Sequence, residues 1–464
     1  MIKNKTLQAK NNHVNYYKEN TNKDRLKRIY SIMLPILITQ LAIMGMSVVD
    51  TMMSGQAGTV NLAGVAIGSS LWLPILTASS ALIAASTPII AQHLGAKRDQ
   101  DIAPSVRHGT YTAIGIAFII IILGFLFADS LISRLDLAPS VHKIAIGYLA
   151  ALAIGIIPLF INISIRSFVD TMNLTHLSMK LFLIALPLNA FFNYCLIFGN
   201  FGFPKLGGIG AGWATTLTEF VLLAIFILTI NKVQILRKYQ VFSTIGHLEK
   251  KRIFEQLRIG LPSGIATFFE TSVFSWIAFA IAKFGTASIA ASQAALNIGG
   301  LLYMIPLSMS FALVIIVGYE VGANNHKEAR RYSTIGIAIT LTLVIIALTL
   351  ILLNKNFIAS LYSTNLEIIS MTAKLIILVA FYQPFDAVSV PIQGALRGYK
   401  DVKFPFYGSL CSYWLICLPA GYLLDYQFNF GVESYFYGLI IGIFSNSLLL
   451  NLRFRYIKNK YKSL

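Results

Sequence analysis

The chain has 464 residues, of which 56% are hydrophobic and only 12% are charged. Its mean hydropathy of +0.70 excludes a water-soluble globular protein and indicates an integral membrane protein. The net charge of +18 would suit a nucleic-acid-binding protein, but a membrane protein gains the same excess when the loops on one side are basic.

Apolar runs along the chain predict twelve transmembrane helices, since about 20 helical residues cross about 30 Å of hydrocarbon. The breaks between these runs carry turn-forming and charged residues, as in GAKRDQD and RGYKD. The N-terminal residues lack the short apolar core and cleavage site of a signal peptide, so the first helix is expected to direct insertion. The predicted spans are residues 30–53, 62–91, 109–128, 144–165, 178–198, 209–231, 259–282, 289–317, 333–353, 368–395, 404–424 and 432–452.

Basic residues fall almost entirely on one side of this predicted topology. The N-terminal arm, the loops after even-numbered helices and the C-terminal tail hold 31 of the 37 Lys and Arg residues. The positive-inside rule then predicts a plasma-membrane protein with both termini in the cytoplasm. The same asymmetry explains the net charge without nucleic acid, and the partners expected for the basic arm are anionic membrane lipids.

The two halves of the chain repeat at a constant spacing of 227 residues. Because each half holds six helices, both halves have the same orientation and are related by a pseudo-two-fold axis along the membrane normal. We therefore predict an all-α integral membrane protein with two six-helix lobes around a cleft. The matched positions are Leu34-Pro35 with Leu261-Pro262, Ala63 with Ala290, Gly95-Ala96 with Gly322-Ala323, and Gly109 with Gly336.

The long basic loop between helices 6 and 7 marks the boundary between these lobes. The predicted domains are a basic cytoplasmic arm (1–28), an N-lobe with helices 1 to 6 (29–231), a cytoplasmic inter-lobe loop (232–258), a C-lobe with helices 7 to 12 (259–455) and a cytoplasmic tail (456–464).

Four acidic residues fall well inside predicted spans: Asp50, Glu219, Glu270 and Asp386. An ionised side chain near the bilayer centre costs at least ~2.5 kcal/mol, so an intramembrane carboxylate is a candidate functional residue. No Lys or Arg is expected deep enough to neutralise these acids by a buried salt bridge, which leaves protons, metal cations or a cationic ligand as their partners. Because burial favours the protonated carboxyl and a nearby cation favours the ionised one, such a site can exchange a proton for a cation.

The acids of the C-terminal half have both a functional and a structural interpretation. Glu270 is the one charge near the middle of span 259–282, where it either binds a cation or links helices by a hydrogen bond. Tyr382 lies one turn before Asp386 on the same helical face, and is either a neighbour of the site or a hydrogen-bonded core residue. Pro384 and Pro391 flank Asp386 and are expected to free backbone carbonyls for an ion.

The polar residues of the N-terminal half are open to the same two interpretations. Asp50 is a site residue or a carboxylate at a helix end, and Asn189 and Asn193 share a face as ligands or as interhelical hydrogen bonds. Glu219 lies one turn after Thr215, and we interpret it as a structural hydrogen-bonding residue or as part of an outward path.

Seven motifs, spread in order from about residue 29 to residue 455, together resemble the multidrug and toxic compound extrusion (MATE) family and specifically its bacterial NorM-type branch. The resemblance implies a secondary antiporter that exports cationic, often aromatic, small molecules as Na⁺ or H⁺ enters the cell. It further implies no enzymatic activity and no cofactor besides the coupling ion, and we expect a monomer. The motifs are LPILITQLAIMGMSVVDTMMSG, LAGVAIGSSLW, TPIIAQHLGA, PLNAFFNY, GGIGAGWAT, GLPSGIATFFE and QGALRGYKD.

The resemblance also implies roles for individual residues by position. Glu270, Tyr382 and Asp386 are similar to the C-lobe cation site of that branch, and the two carboxylates are hypothetical Na⁺ ligands. Glu219 and the basic arm match no motif of the family. The residues that look like the N-lobe cation or substrate site are Asp50, Asn189, Asn193 and, with a weaker match, Thr215.

Other classes of membrane protein fit the sequence less well. An intramembrane enzyme would need a nucleophile with a base, or metal ligands, at depth, and an ATP-driven pump would need a phosphate-binding loop. A channel would need a pore lined by several repeats and a filter loop. Major facilitator transporters have different motifs, and a lipid-linked precursor flippase of the same superfamily should carry basic residues in its cleft. The flippase and an exporter of an endogenous metabolite stay as the alternative functions.

Overall fold

The structure is a computed structural model that describes residues 21–135, 137–242 and 248–461. These residues form helices joined by turns, and eleven of the helices are long and apolar enough to cross a membrane. We number them in chain order as α1 Asn22–Gln56, α2 Thr59–Gly95, α3 Asp99–Ser133, α4 Pro139–Thr171, α5 Thr175–Phe198, α6 Gly208–Lys232, α7 Lys250–Ile281, α8 Thr286–Gly322, α9 His326–Leu353, α10 Leu366–Gly398 and α12 Glu433–Lys460, with α11 kept for the consecutive segments Lys403–Ser409, Leu410–Cys417 and Leu418–Phe428.

The predicted span 404–424 corresponds to α11, which does not form one regular helix. Its middle segment, Leu410–Cys417, is a π-helix between two short α-helices. π-Helical turns are rare and are often found at functional sites. The sequence pattern predicted the apolar run but not this change of hydrogen bonding. Helix α2 is also interrupted, at residues 84–85 between Thr59–Ile83 and Ser86–Gly95.

Several helices extend beyond the predicted boundaries at the face where α1 begins and α12 ends, which we call the termini face. Helix α1 starts at Asn22, inside the predicted arm, because Thr21 caps it by accepting a 3.2 Å hydrogen bond from the Asp24 amide. Helix α7 starts at Lys250, inside the predicted inter-lobe loop, and α12 continues to Lys460, inside the predicted tail. Residues 1–20 of the arm lie outside the described part of the chain.

Helix packing confirms the two-lobe architecture. Within the N-lobe, α1 packs on α5, α2 and α3 pack on α4, and α6 packs on α4 and α5. The same pairs recur six helices later in the C-lobe, where α7 packs on α11, α8 and α9 pack on α10, and α12 packs on α10 and α11. The repeated packing follows from the sequence repeat, since equivalent apolar faces bury against equivalent neighbours.

The lobes meet where α2 contacts α7 and α8 and where α1 contacts α8. Glycines permit the close approach of α7 to α2. A Cβ on Gly260 would lie 2.6 Å from the Leu82 carbonyl oxygen, and one on Gly264 would lie 2.7 Å from that of Ala78. Any larger residue would therefore have to push the two helices apart.

Two ion pairs join the lobes at the termini face, and the sequence repeat relates them. Arg25 of α1 donates to both carboxylate oxygens of Glu328 of α9, at 2.6 and 3.0 Å. Arg252 of α7 donates to Asp101 of α3 at 3.0 Å. Each partner of the second pair lies 227 residues from its equivalent in the first. A third pair, Arg28–Glu320 at 2.9 Å, has both side chains buried.

Candidate functional site

The first candidate site lies in the C-lobe around Glu270 of α7 and Asp386 of α10, both of which are buried. The Tyr303 hydroxyl of α8 donates a 3.0 Å hydrogen bond to Glu270 Oε1. The two carboxylates are close enough to interact electrostatically, and as like charges they disfavour joint ionisation. Asp386 Oδ1 has no hydrogen-bond partner among the described residues. A buried oxygen without a donor is costly, so the cluster is suited to receive a proton or a cation.

Within the described residues no Lys or Arg forms an ion pair with any of the four buried acids, but one basic residue is close enough to Glu270 to interact with it electrostatically. Arg397, in the last turn of α10, interacts electrostatically with Glu270 and with the Tyr303 hydroxyl. Arg397 belongs to the motif QGALRG, and its position follows from the length of α10. The helix continues through Gly398, past the predicted end of the span at residue 395. Tyr413 of the π-helical segment also interacts with Glu270 and Asp386, so four helices contribute to the cluster.

Tyr382 is buried, but its contacts differ from those expected for a ligand. Its hydroxyl lies 2.7 Å from the position that a Cβ on Gly299 would take, and no hydrogen bond to Glu270 or Asp386 is present among the described residues. The neighbouring Gln383 donates a 2.8 Å hydrogen bond to the Gly299 carbonyl, which fixes α10 against α8. Tyr382 therefore packs against α8 at Gly299, one turn from Asp386.

The flanking prolines do not break α10. The helix is continuous from Leu366 to Gly398 with Pro384 and Pro391 inside it. Because proline has no amide proton, each proline leaves one backbone carbonyl of the preceding turn without its helical hydrogen bond. The expected release of carbonyls is limited to these groups.

The second candidate site lies in the N-lobe, where the structure brings all four predicted residues into one hydrogen-bonded cluster. Asp50 Oδ1 accepts from Asn193 Nδ2 at 2.6 Å, and Asp50 Oδ2 accepts from the Thr215 hydroxyl at 2.9 Å. Asn193 Nδ2 also donates to Asn189 Oδ1 at 3.1 Å. Asn189 Nδ2 and Asn193 Oδ1 are buried without partners among the described residues. The cluster thus offers one carboxylate with neutral donors and a free amide oxygen.

Glu219 does not join this cluster, although it lies one turn after Thr215 on α6. Asn162 of α4 donates from Nδ2 to Glu219 Oε2 at 2.7 Å and to the Glu219 carbonyl at 3.0 Å. Both residues are buried. This double contact fixes α4 against α6 and agrees with the structural interpretation of Glu219.

The C-lobe site lies next to the junction of the lobes. Thr271, which follows Glu270, forms a hydrogen bond with Thr77 of α2 across the lobe boundary, with 3.3 Å between the hydroxyl oxygens. Because Thr271 is the next residue along α7, a change in the position of Glu270 can alter the packing of α7 on α2.

Sequence reasoning missed Tyr303, Tyr413, Arg397 and Asn162. Asn162 lies inside the predicted span 144–165, and the criterion applied to the buried acids would have found it as a buried amide. Arg397 was assigned to a loop because its helix was predicted too short. The tyrosines carried no signal, since tyrosine is common in apolar cores and at membrane interfaces.

Comparison with known proteins assigns the family. The family model MatE matches residues 35–195 and again residues 262–423, so the two matches begin 227 residues apart. The chain is 43% identical over 442 residues to the "Probable multidrug resistance protein NorM" of Halalkalibacterium halodurans, covering 95% of this chain and 96% of that protein. It is 45% identical over 444 residues to the protein of the same name from Oceanobacillus iheyensis, covering 96% and 99%.

Solved structures of transporters share the fold. The eukaryotic MATE transporter AtDTX14 aligns with a TM-score of 0.82 at 20% identity, covering 95% of this chain and 98% of that one. A multidrug resistance MATE family transporter of the MOP superfamily, in an outward-facing conformation, aligns with a TM-score of 0.85 at 17% identity, covering 94% and 97%. The family match, the full-length relatives and this shared two-lobe fold agree, and the chain belongs to the MatE family of membrane transporters.

Proposed function

We propose that this protein exports organic cations from the cell in exchange for inward Na⁺ or H⁺, by alternating access to a cleft between the lobes. The observation that carries the proposal is the buried pair of Glu270 and Asp386, in which Asp386 Oδ1 has no donor among the described residues. Two like charges in a low-dielectric site disfavour joint ionisation, so this site is neutralised by binding a proton or a cation. The names of the relatives, multidrug resistance proteins, support a drug-like substrate.

The charge of the C-lobe cluster supports uptake of one monovalent ion. Glu270 and Asp386 carry two negative charges when both are ionised, and Arg397 offsets part of this charge through its electrostatic interaction with Glu270. One proton or one Na⁺ then offsets a further part. Na⁺ is a hard cation that prefers oxygen ligands, which the two carboxylates and the Tyr303 hydroxyl supply. An organic cation that reaches the same acids competes with this ion.

Asp50 supplies the N-lobe with an independent site of the same kind. Its donors, Asn193 and Thr215, are neutral, and no described Lys or Arg forms an ion pair with it. We propose that this cluster binds a proton, a cation or the substrate in a step separate from the C-lobe site. Because each cluster is complete within one chain, we propose that a monomer carries out transport.

The lobe contacts support a state that is closed at the termini face. The ion pairs Arg25–Glu328 and Arg252–Asp101 lie there, and the excess of basic residues supports a cytoplasmic location for this face of a plasma-membrane protein. We therefore propose that export begins when these contacts separate and the cleft opens to the cytoplasm. The ion then drives return to the present arrangement.

The test is transport by the purified protein in sealed vesicles. A fluorescent organic cation is offered on the side of the termini face, with a Na⁺ gradient and a pH gradient imposed separately. We expect uptake with at least one gradient and none with an anionic dye of matched size, because the described site is acidic. Equal transport of the two dyes, or no response to either gradient, would contradict the proposal.

A further inference from the structure

A basic pocket of about 780 Å³ lies at the termini face, on the boundary between the lobes. Helix α1 of the N-lobe lines one wall, and α9 and α12 of the C-lobe line the others. Five of its eight lining residues are Lys or Arg, and none is acidic. The lining residues are Asn22, Arg25, Lys327, Arg330, Arg331, Thr334, Ile335 and Lys458.

The positive charge of this pocket is only partly balanced. The adjacent carboxylate, Glu328, is already engaged by Arg25 and by Arg331, at 2.6 and 2.9 Å. Arg330 donates to the Lys458 carbonyl at 3.2 Å, and the Lys458 ammonium donates to a threonine hydroxyl at 3.1 Å, so both contact neutral oxygens. Within the described part of the chain, no carboxylate pairs with Lys327, Arg330 or Lys458. Three cations therefore converge without a counter-ion among the described residues.

The related boundary on the other side of the pseudo-two-fold axis shows that the fold does not require these cations. The ion pair Arg252–Asp101 repeats Arg25–Glu328 at that boundary, so the fold uses the pair twice. Three cations of the pocket are not repeated there, since Lys327, Arg330 and Arg331 of α9 correspond to Gln100, Ala103 and Pro104 of α3 at the spacing of 227 residues. The cations of α9 thus belong to one boundary and are not required by the repeated ion pair.

We propose that this pocket binds a phosphate group, either from an anionic phospholipid headgroup or from a soluble phosphate compound. Arginine presents a planar fork to phosphate oxygens and lysine supplies a point charge, and both kinds of side chain line the pocket. Its volume falls within the range of about 300–1,000 Å³ that is typical of ligand sites. The pocket also lies where helices leave the bilayer, which is the level of the headgroups.

A bound phosphate stabilises the arrangement in which the lobes are closed at this face. Asn22 and Arg25 belong to the N-lobe, whereas the other lining residues belong to the C-lobe. A ligand that contacts both lobes at once binds this arrangement better than one in which the lobes have separated. It therefore shifts the conformational population towards the closed state. The size of this shift is set by the difference between its affinities for the closed and the separated arrangements.

The experiment measures binding of short-chain phosphatidylglycerol, short-chain phosphatidylcholine and inorganic phosphate to the full-length protein in a neutral detergent. The variants are Arg330→Gln/Lys458→Gln and, separately, Lys327→Gln, a side chain with no described hydrogen bond. The matched control is Lys250→Gln/Lys251→Gln, which removes the same charge beside Arg252 at the related boundary. The unfolding temperature without ligand verifies that each variant is folded.

We expect the wild-type protein and the control to bind the anionic lipid or phosphate, and to bind phosphatidylcholine more weakly. The double pocket variant should lose about tenfold in affinity for each cation removed, and Lys327→Gln should lose about tenfold, as for charge-assisted hydrogen bonds. If phosphatidylglycerol binds and inorganic phosphate does not, the bound phosphate group comes from a lipid headgroup. If inorganic phosphate binds equally well, it comes from a soluble compound. Equal losses in the control and the pocket variants, or no loss in Lys327→Gln and the double variant, would overturn the proposal.

Discussion

Gly95 of α2 and Gly322 of α8 pack reciprocally where the lobes cross at the termini face. A Cβ on Gly95 would lie 2.0 Å from the Tyr319 carbonyl oxygen, and one on Gly322 would lie 2.2 Å from that of Gln92. Gln92 and Tyr319 are themselves 227 residues apart, so the two contacts are equivalent under the repeat. Both obstacles are backbone atoms, which no side-chain rotation can remove, and only glycine permits this crossing.

Gly95→Ala and Gly322→Ala should each separate α2 from α8 at this face. Overpacking costs about 1–3 kcal/mol, which shifts a two-state equilibrium by about fivefold to a hundredfold. Pulsed electron paramagnetic resonance between spin labels on the two helices should show a longer distance population. Gly115→Ala is the control, since its Cβ would meet nothing within 4 Å, and it should leave the distances unchanged. Identical distances in all three variants would show that the crossing adapts without opening.

Glu270→Gln and Asp386→Asn should each abolish ion-driven export while leaving the protein folded. Each replacement is nearly isosteric and removes a charge that is costly to bury, so no large loss of stability is expected. The double variant should be no worse than either single variant, because the two carboxylates act as one unit. Export is measured in vesicles under both gradients. Glu367→Gln, an exposed acid at the start of α10, is the matched control. Wild-type rates of ion-driven export in both single variants would contradict this assignment and make Asp50 the next candidate for the coupling site.

Arg28→Gln should destabilise the contact of the lobes through Glu320. The two side chains are buried and 2.9 Å apart, so loss of the arginine leaves a buried carboxylate without its cation, at a cost of about 3–5 kcal/mol. The added change Glu320→Gln should restore part of the stability, as measured by thermal unfolding.

Deletion of residues 2–20 removes basic residues but not the Arg28–Glu320 pair, and should affect neither stability nor transport. A deletion that inserts normally yet stops export would assign a role to the arm.

Glu219→Gln should preserve both stability and transport, because a glutamine oxygen can still accept from Asn162. Glu219→Leu should cost about 1–3 kcal/mol, since the buried Asn162 amide then loses its 2.7 Å acceptor. Thermal unfolding separates the two outcomes. If Glu219→Gln unfolds like the wild type but loses proton-driven export, Glu219 carries a proton and the structural interpretation is wrong.

The sequence alone determined the parts of this protein that depend on local pattern. Membrane spans follow from the length of apolar runs, and the two-lobe fold follows from the repeat, so both were predicted without a structure. The four residues of the N-lobe cluster were also predicted, and Asp50, Asn193 and Thr215 do share hydrogen bonds. Helix ends were predicted less well, because polar residues at the termini face continue helices such as α1 and α10 beyond the apolar run.

Only the tertiary structure decided which side chains meet. Tyr303 reaches Glu270 from another helix, and Arg28 pairs with Glu320 across 292 residues of chain. Neither contact leaves a periodic signal, since a hydrogen bond between helices depends on their rotation and separation, and these are set by the packing of all neighbours together. The same reason explains Arg397, because its electrostatic interaction with Glu270 is visible only after α10 has been positioned relative to α7 and α8.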